Sequence, residues 1–400
     1  MRIRTRHTPW KVTVAGVALV AMLGAACAGE DVDDGEPADD PADTEPTDDE
    51  DAEPADDDEV AEPEYEWQMA AFLGEGTAQG QAMEWWMDEV EERSNGRISI
   101  ERFYSEALLG GEEIRDGLSD GRVAVGNFTT AYTPADFPVE GVASLPFVGD
   151  NVPAQTATLN DLYETHDGFR DEFQSQGVHV LAFVGIQPPV TGADEPIESI
   201  DWFEGKSVRT SGFTTRAIEA VGGDAVAIVA GETYEAMQRG LIDAYSGMLI
   251  DVIPPLGLHE VGPHLVDLGI GYFASSTWGM SLAEYEALPD DLRQIVDEVS
   301  EEFQDVQFEL REPIEAEACE TILDAGGSIT ILDDSEVSKL EEAVGDGPLE
   351  DWLADAEAAG VDGQELYDLY VSTIEEYATG EYADFEQPMD RCLEAEQARG

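Results

Sequence analysis

The stretch Gly205–Asp243, GKSVRTSGFTTRAIEAVGGDAVAIVAGETYEAMQRGLID, decides the fold. Ser207-Val208 reads as a short strand ending on Arg209. A Thr210-Ser211-Gly212 loop and a helix from about Thr214 to Val221 follow. Gly222-Gly223 stops that helix, because glycine reaches left-handed backbone angles without steric cost. Ala225–Val229 is a second apolar strand. The next helix carries Glu232 in its first turn, where a carboxylate suits the helix dipole. Its Tyr234, Met237 and Leu241 are spaced for one apolar face. Strand–helix–strand–helix order predicts an α/β fold with a parallel sheet. Ligands of open parallel sheets sit beyond the carboxyl ends of the strands, and Arg209 stands at such an end. A guanidinium there can clamp a carboxylate through two parallel hydrogen bonds. The alternative is a surface arginine paired with one of the chain's many acids.

Outward toward the N-terminus, residues 1–27 read as an export signal. Arg2, Arg4, Arg6 and Lys11 precede an apolar run, Val12–Ala26, too short and too rich in small residues for a comfortable membrane span. It ends Leu23-Gly24-Ala25-Ala26-Cys27, similar to a bacterial lipoprotein box with the leucine displaced one residue upstream, which predicts lipid on Cys27; ordinary cleavage nearby is the alternative. Residues 28–65 hold Asp, Glu, Pro, Ala and Thr with almost no large apolar side chain. Such a segment cannot offset its ordering entropy by burial and is expected to be a disordered acidic tether.

The remaining chain suffices for two domains. The whole sequence carries 19 basic and 90 acidic residues, a net charge of -71. From Trp67 onward 15 basic and 69 acidic residues remain. No basic face exists for nucleic acid, and acidity on this scale suits a salt-rich exterior in which charge repulsion is screened. Strands are expected near Glu66–Gly74, Ile98–Phe103, Val123–Phe128, Gly177–Gly185 and Tyr272–Leu282, with helices at Gln81–Glu92, Glu112–Leu118, Pro289–Ala325 and across Leu340–Phe385. Trp85 and Trp86 belong to the core rather than to a ligand stack. Thr129 follows the Val123–Phe128 strand and is a candidate hydroxyl contact by the strand-end rule that selects Arg209. Ala244–Leu249 is expected at the next strand end, with Tyr245, Ser246 and Met248 as candidate pocket residues. His259 and His264, five apart with Pro263 between them, do not make a metal pair. No metal and no cofactor is expected, and no phosphate loop is present.

Here the sequence resembles a known family. GKSVRTSG and ETYEAMQRGLIDA are similar to the central signature of the TRAP-transporter solute receptors, the DctP family: G-x-x-x-R, then E-x-Y-x-A-L-x-x-G-x-x-D-G. Gly205, Arg209, Glu232, Tyr234, Ala236, Gly240 and Asp243 match, while Met237 replaces the leucine and Ala244 the last glycine. Ser94–Gly126, the short SLPFV at Ser144–Val148, and YEALPDDLRQIV at Tyr285–Val296 also match, so the likeness covers about residues 67–380. It implies a bilobed, periplasmic-binding-protein-like fold of type II character, two α/β domains with crossing hinge strands. The expected division is 66–187 plus 273–318 for lobe I, and 188–272 plus 319–400 for lobe II. A second arginine common in the family near the first crossing is absent, which leaves Gln187 and Thr191 as polar candidates. An aromatic ring before E-x-Y is also missing, since Ala230 and Gly231 stand there.

The resemblance implies an extracytoplasmic receptor. It would take a small organic acid on Arg209 and deliver it to TRAP membrane permease subunits, touching the membrane only through a lipid anchor. Alternatives are a receptor for an ABC importer or a sensor kinase, or a secreted enzyme. The last lacks a G-x-S-x-G elbow, an H-E-x-x-H pair or a Cys with a His, so no enzyme is expected. Outside the cytoplasm Cys319 and Cys392 can form a disulfide; two unpaired buried thiols are the alternative.

Overall fold

The computed structural model describes residues 62–272 and 274–399. The signal, most of the tether and Cys27 lie outside the described residues. The chain begins with β1 (Tyr65–Ala71), α1 (Ala78–Arg93), β2 (Ile98–Phe103), α2 (Ile114–Asp120) and β3 (Val125–Phe128). β2, β1 and β3 pair in parallel. Thr77 caps α1, its hydroxyl accepting from the backbone N–H of Gly80 at 3.0 Å, so the helix starts three residues before the sequence expectation. Trp86 is buried edge-on against Trp278, 5.4 Å between ring centres, with its Nε1 donating to Ser300 Oγ at 3.0 Å.

Two helices with no sequence expectation, α3 (Val152–Thr165) and α4 (Asp167–Ser175), lead to β4 (Val178–Val184). The chain then crosses to a second sheet through β5 (Val190–Ala193), β6 (Ser207–Thr210), α5 (Thr214–Ala220), β7 (Asp224–Ala227), α6 (Thr233–Gln238), β8 (Ala244–Met248) and β9 (His264–Asp267). It crosses back into β10 (Ser276–Ser281), followed by α7 (Leu282–Ala287) and the long α8 (Asp290–Asp324). β11 (Ile329–Ile331), α9 (Asp334–Val344), α10 (Gly347–Ala358), α11 (Gly363–Thr379) and α12 (Pro388–Arg399) complete the fold. The first sheet is ordered β2-β1-β3-β10-β4 and the second β11-β9-β5-β8-β6-β7. β10 runs antiparallel between β3 and β4, and β5 antiparallel between β8 and β9. Each sheet thus carries one strand delivered by a crossing segment, as in a bilobed type II-like α/β fold.

β6, β7 and β8 pair in parallel, as the Gly205–Asp243 stretch requires. The apolar face expected of Tyr234, Met237 and Leu241 does not hold. α6 ends at Gln238, Gly240 takes φ +66°, and Leu241 is 64% exposed beyond the helix end. The segment 319–400 serves both sheets. Cys392 and Met389 of α12 share a core with Ile329 of β11 and Leu265 of β9. Trp352 of α10 and Leu366 and Tyr370 of α11 share one with Phe128 and α3.

The first crossing is held by α8. Gln307, Arg311 and Glu315 are buried at intervals of four, forming a polar stripe on one helix face. Gly185 leaves β4 with its N–H bonded to Gln307 Oε1 at 2.8 Å and its carbonyl accepting from Gln79 Nε2 at 3.2 Å and Arg311 Nη2 at 2.6 Å. A Cβ at Gly185 would lie 2.7 Å from Val152 and 2.9 Å from Phe308, so only glycine fits there. Asp251, after β8, accepts from the N–H of Ala78 at the start of α1 at 3.2 Å, linking the two layers.

Candidate functional site

β6 ends on Thr210, one residue past Arg209, and β3 ends next to Thr129, so the carboxyl ends of two parallel strands, one from each sheet, supply the candidate residues. Arg209 is only 6% exposed. Its Nε donates to the carbonyl of Ile228 at 3.0 Å. Its Nη1 donates to Ser211 Oγ at 3.3 Å and to the carbonyls of Ser246 and Gly247 at 3.0 and 3.2 Å. Nη2 has no hydrogen-bond partner among the described residues. Burial pushes the guanidinium down to about 10, and the nearby Tyr132 phenol pulls it back up, so the charge persists at neutral pH.

The setting of this charge is unlike that of any other arginine or lysine in the described chain. Each of the other 14 described arginines and lysines has a carboxylate oxygen within 4.0 Å. Arg209, among 69 acids, has none within the described residues. A desolvated cation bound only by carbonyls and a hydroxyl is costly unless an anion completes it. Carbonyl acceptors fix the plane of the fork and leave Nη2 for a further acceptor.

The other expected residues divide. Thr129 is buried, its hydroxyl donating to the carbonyl of Ser275 at 2.8 Å and accepting from the N–H of Ala131 at 3.3 Å. Thr191 Oγ1 donates to Ser246 Oγ at 2.7 Å, pairing both candidates between β5 and β8. Gln187 donates from Nε2 to Glu315 Oε1 at 2.5 Å and so bonds the buried polar stripe of α8. Tyr245 is fully buried, its hydroxyl bonded to the carbonyl of Gly262 at 2.8 Å, and a Cβ on Gly192 would come within 2.2 Å of its ring. Met248 packs in the same core cluster. Thr129, Thr191, Ser246, Tyr245 and Met248 thus find their partners within the fold, while the buried Oε1 of Gln187 has no hydrogen-bond partner among the described residues. His264 bonds Ser328 Oγ at 2.9 Å, and no group of three or more His, Cys, Asp or Glu among the described residues is placed to hold a metal. Cys319 and Cys392 are joined as a disulfide with Cα atoms 5.5 Å apart.

The structure adds Tyr132, three residues beyond Thr129. It is about half exposed, packs edge-on to Phe72 with ring centres 5.6 Å apart, and couples electrostatically to Arg209 from the first sheet's side. Burial raises its hydroxyl, as does Glu106, while Arg209 lowers it. A Cβ at Gly111 would meet its ring at 2.9 Å. The strand-end rule that picks Thr129 reaches Tyr132 only through the short turn Thr130–Tyr132, which has no sequence signature. Glu315, accepting from Arg391 Nη2 at 2.7 Å, was equally hidden; its signal is the spacing of four shared with Gln307 and Arg311.

Comparison with known proteins fits this geometry. The family model described as "Bacterial extracellular solute-binding protein, family 7", DctP, matches residues 69–346. The ectoine-binding periplasmic protein TeaA of Halomonas elongata is 23% identical over 316 residues, covering 77% of this chain and 89% of that protein. A TRAP periplasmic solute-binding protein from Desulfovibrio salexigens superposes with a TM-score of 0.69 at 23% identity, covering 78% of this chain and 97% of that one. A marine metagenome TRAP solute-binding protein specific for aromatic acids, from an unidentified microbe and in complex with 3-hydroxybenzoate, gives a TM-score of 0.69 at 23% identity, with 78% and 98% covered. The matched region is that of a binding protein rather than an enzyme, and it spans both sheets: this chain belongs to the bacterial extracellular solute-binding protein family 7, DctP.

Proposed function

We propose that the protein is the extracytoplasmic receptor of a TRAP-type secondary transporter, closing two lobes on a small organic acid and passing it to membrane permease subunits. The observation that carries this reading is Arg209. It is the one arginine or lysine among the described residues without a carboxylate partner, and it stands at a parallel strand end. The solute's carboxylate completes the guanidinium, with Thr129 and Tyr132 on the opposing wall. Ligand stabilises the closed state by its differential affinity for it. Lobe I comprises about 66–187 with 273–318 and also receives α10 and α11; lobe II comprises 188–272 with β11, α9 and α12. Lipid on Cys27 tethers the receptor to the membrane through the acidic segment 28–65. Among the described residues no helix is long and apolar enough to cross a membrane.

Relatives bind ectoine, 3-hydroxybenzoate, orotic acid and β-D-galacturonate. These four compounds make a first panel for a thermal-shift screen in high salt. A ligand at roughly a hundredfold over its dissociation constant adds about 2.7 kcal/mol. A clear shift with one acid supports the receptor reading. No shift with any carboxylate, on protein shown to be free of copurified solute, removes the carboxylate from it.

A further inference from the structure

We infer that Glu140 is a positioning residue of the ligand-facing wall: its buried carboxyl group holds Ser275, and through it the turn that carries Thr129 and Tyr132. That this wall meets the solute rests on the function proposed above. Glu140 is 1% exposed. The Ser275 hydroxyl donates to its Oε1, and the Thr130 side chain lies near the same carboxyl group. The carbonyl of Ser275 in turn accepts from Thr129 Oγ1 at 2.8 Å. One buried acid therefore ties the loop before β10 to the segment after β3, directly behind Thr129–Tyr132.

No base among the described residues pairs with Glu140. The titratable groups facing it are Glu172 of α4, whose carboxylate accepts from the N–H groups of Val139 at 2.7 Å and Glu140 at 2.8 Å, and Tyr370 of α11. Burial raises Glu140 to about 8 against the pull of Ser275 and Thr130, with Glu172 raising it further. At neutral pH the group therefore keeps its proton. The Ser275 hydroxyl can accept from it, since hydroxyls both donate and accept. Above that pH an unpaired charge forms behind the wall and loosens it.

Amide hydrogen exchange of the full chain, corrected for intrinsic rates, tests this without a ligand. Between about pH 6.5 and about pH 9 the Thr129–Thr133 segment of the wild type is expected to lose roughly tenfold in protection, while β1 and β4 keep theirs. Glu140→Gln, which retains the hydrogen bonds without the titration, is expected to keep its protection across the range, and Glu140→Ala to lack it throughout. Protection of this segment that stays flat with pH in the wild type, or falls equally in Glu140→Gln, overturns the proposal. Exchange that follows Glu140 while every acid of the panel fails to bind overturns the ligand-facing role of the wall and leaves the proton on Glu140 standing.

Discussion

Arg209 is legible in the sequence because two independent constraints meet on it. A short strand in a strand–helix–strand unit ends there, and strand ends of parallel sheets face the ligand crevice. What the sequence does not carry is that all of its protein partners are carbonyls and a hydroxyl, because the carbonyls of Ile228, Ser246 and Gly247 reach it only through folding. The same limit explains Gln187, Thr191, Tyr245, Ser246 and Met248. They lie near strand ends in the sequence, yet register and side-chain direction turn them toward Glu315, toward one another or into the core. Glu140 has no signature at all, being one acid among 69. At this scale Arg209→Lys is expected to retain the fold and lose about 1–2 kcal/mol of solute affinity, because an ammonium cannot keep the carbonyl contacts and also offer a planar fork. Titration calorimetry of the variant checks this, and undiminished affinity counts against a bidentate contact.

At the scale of elements, β6, α5, β7, α6 and β8 are readable from periodicity and glycine punctuation, and Ile98–Phe103 is read to the residue. β9 and β11 are not: they are about as short as β6 and β7 but lie outside the strand–helix–strand unit whose alternation makes those two legible. α8 is expected as a helix, but its hold on the first crossing emerges only when Gln307, Arg311 and Glu315 close on Gly185 and Gln187. α12 reinforces this hold twice, through Arg391 on Glu315 and through the disulfide to Cys319, one turn of α8 further on. Glu315→Ala strands Arg311 and removes the acceptor of Gln187 and Arg391. It is expected to lower stability by about 3 kcal/mol in denaturant unfolding; a cost below about 0.5 kcal/mol contradicts this holding role. The cysteine pair is 73 residues apart. Its loss in Cys392→Ser is expected to cost about 4 kcal/mol on the chain-entropy account. Intact mass with and without reductant checks the bond, and identical masses deny it.

At the scale of the molecule, charge dominates. Three acids sit above the usual carboxylate range, chiefly from burial: the buried Glu140 at about 8, and the half-buried Glu172 at about 7 and Asp267 at about 6. A carboxyl raised in the folded state binds its proton more tightly there than in the unfolded chain. Its stabilising contribution is present at low pH and is lost as pH rises through the folded value. Stability is therefore expected to decline from about pH 5 to about pH 8.5, and the surplus of negative charge, self-repulsive at low salt, steepens that decline. Thermal midpoints across pH, and across salt at fixed pH, measure both effects. A midpoint that rises over that pH range, or falls steadily as salt increases toward molar, runs against the charge account.

The central claim is that a solute carboxylate completes Arg209. Its most direct measurement is a calorimetric comparison of wild type and Arg209→Ala with the acid that shifts the melting point, in high salt, with folding confirmed by unchanged far-ultraviolet dichroism. An affinity loss of about 2 kcal/mol or more in the folded variant is the expected result. Wild-type affinity in that variant would contradict it and leave Arg209 a structural cation.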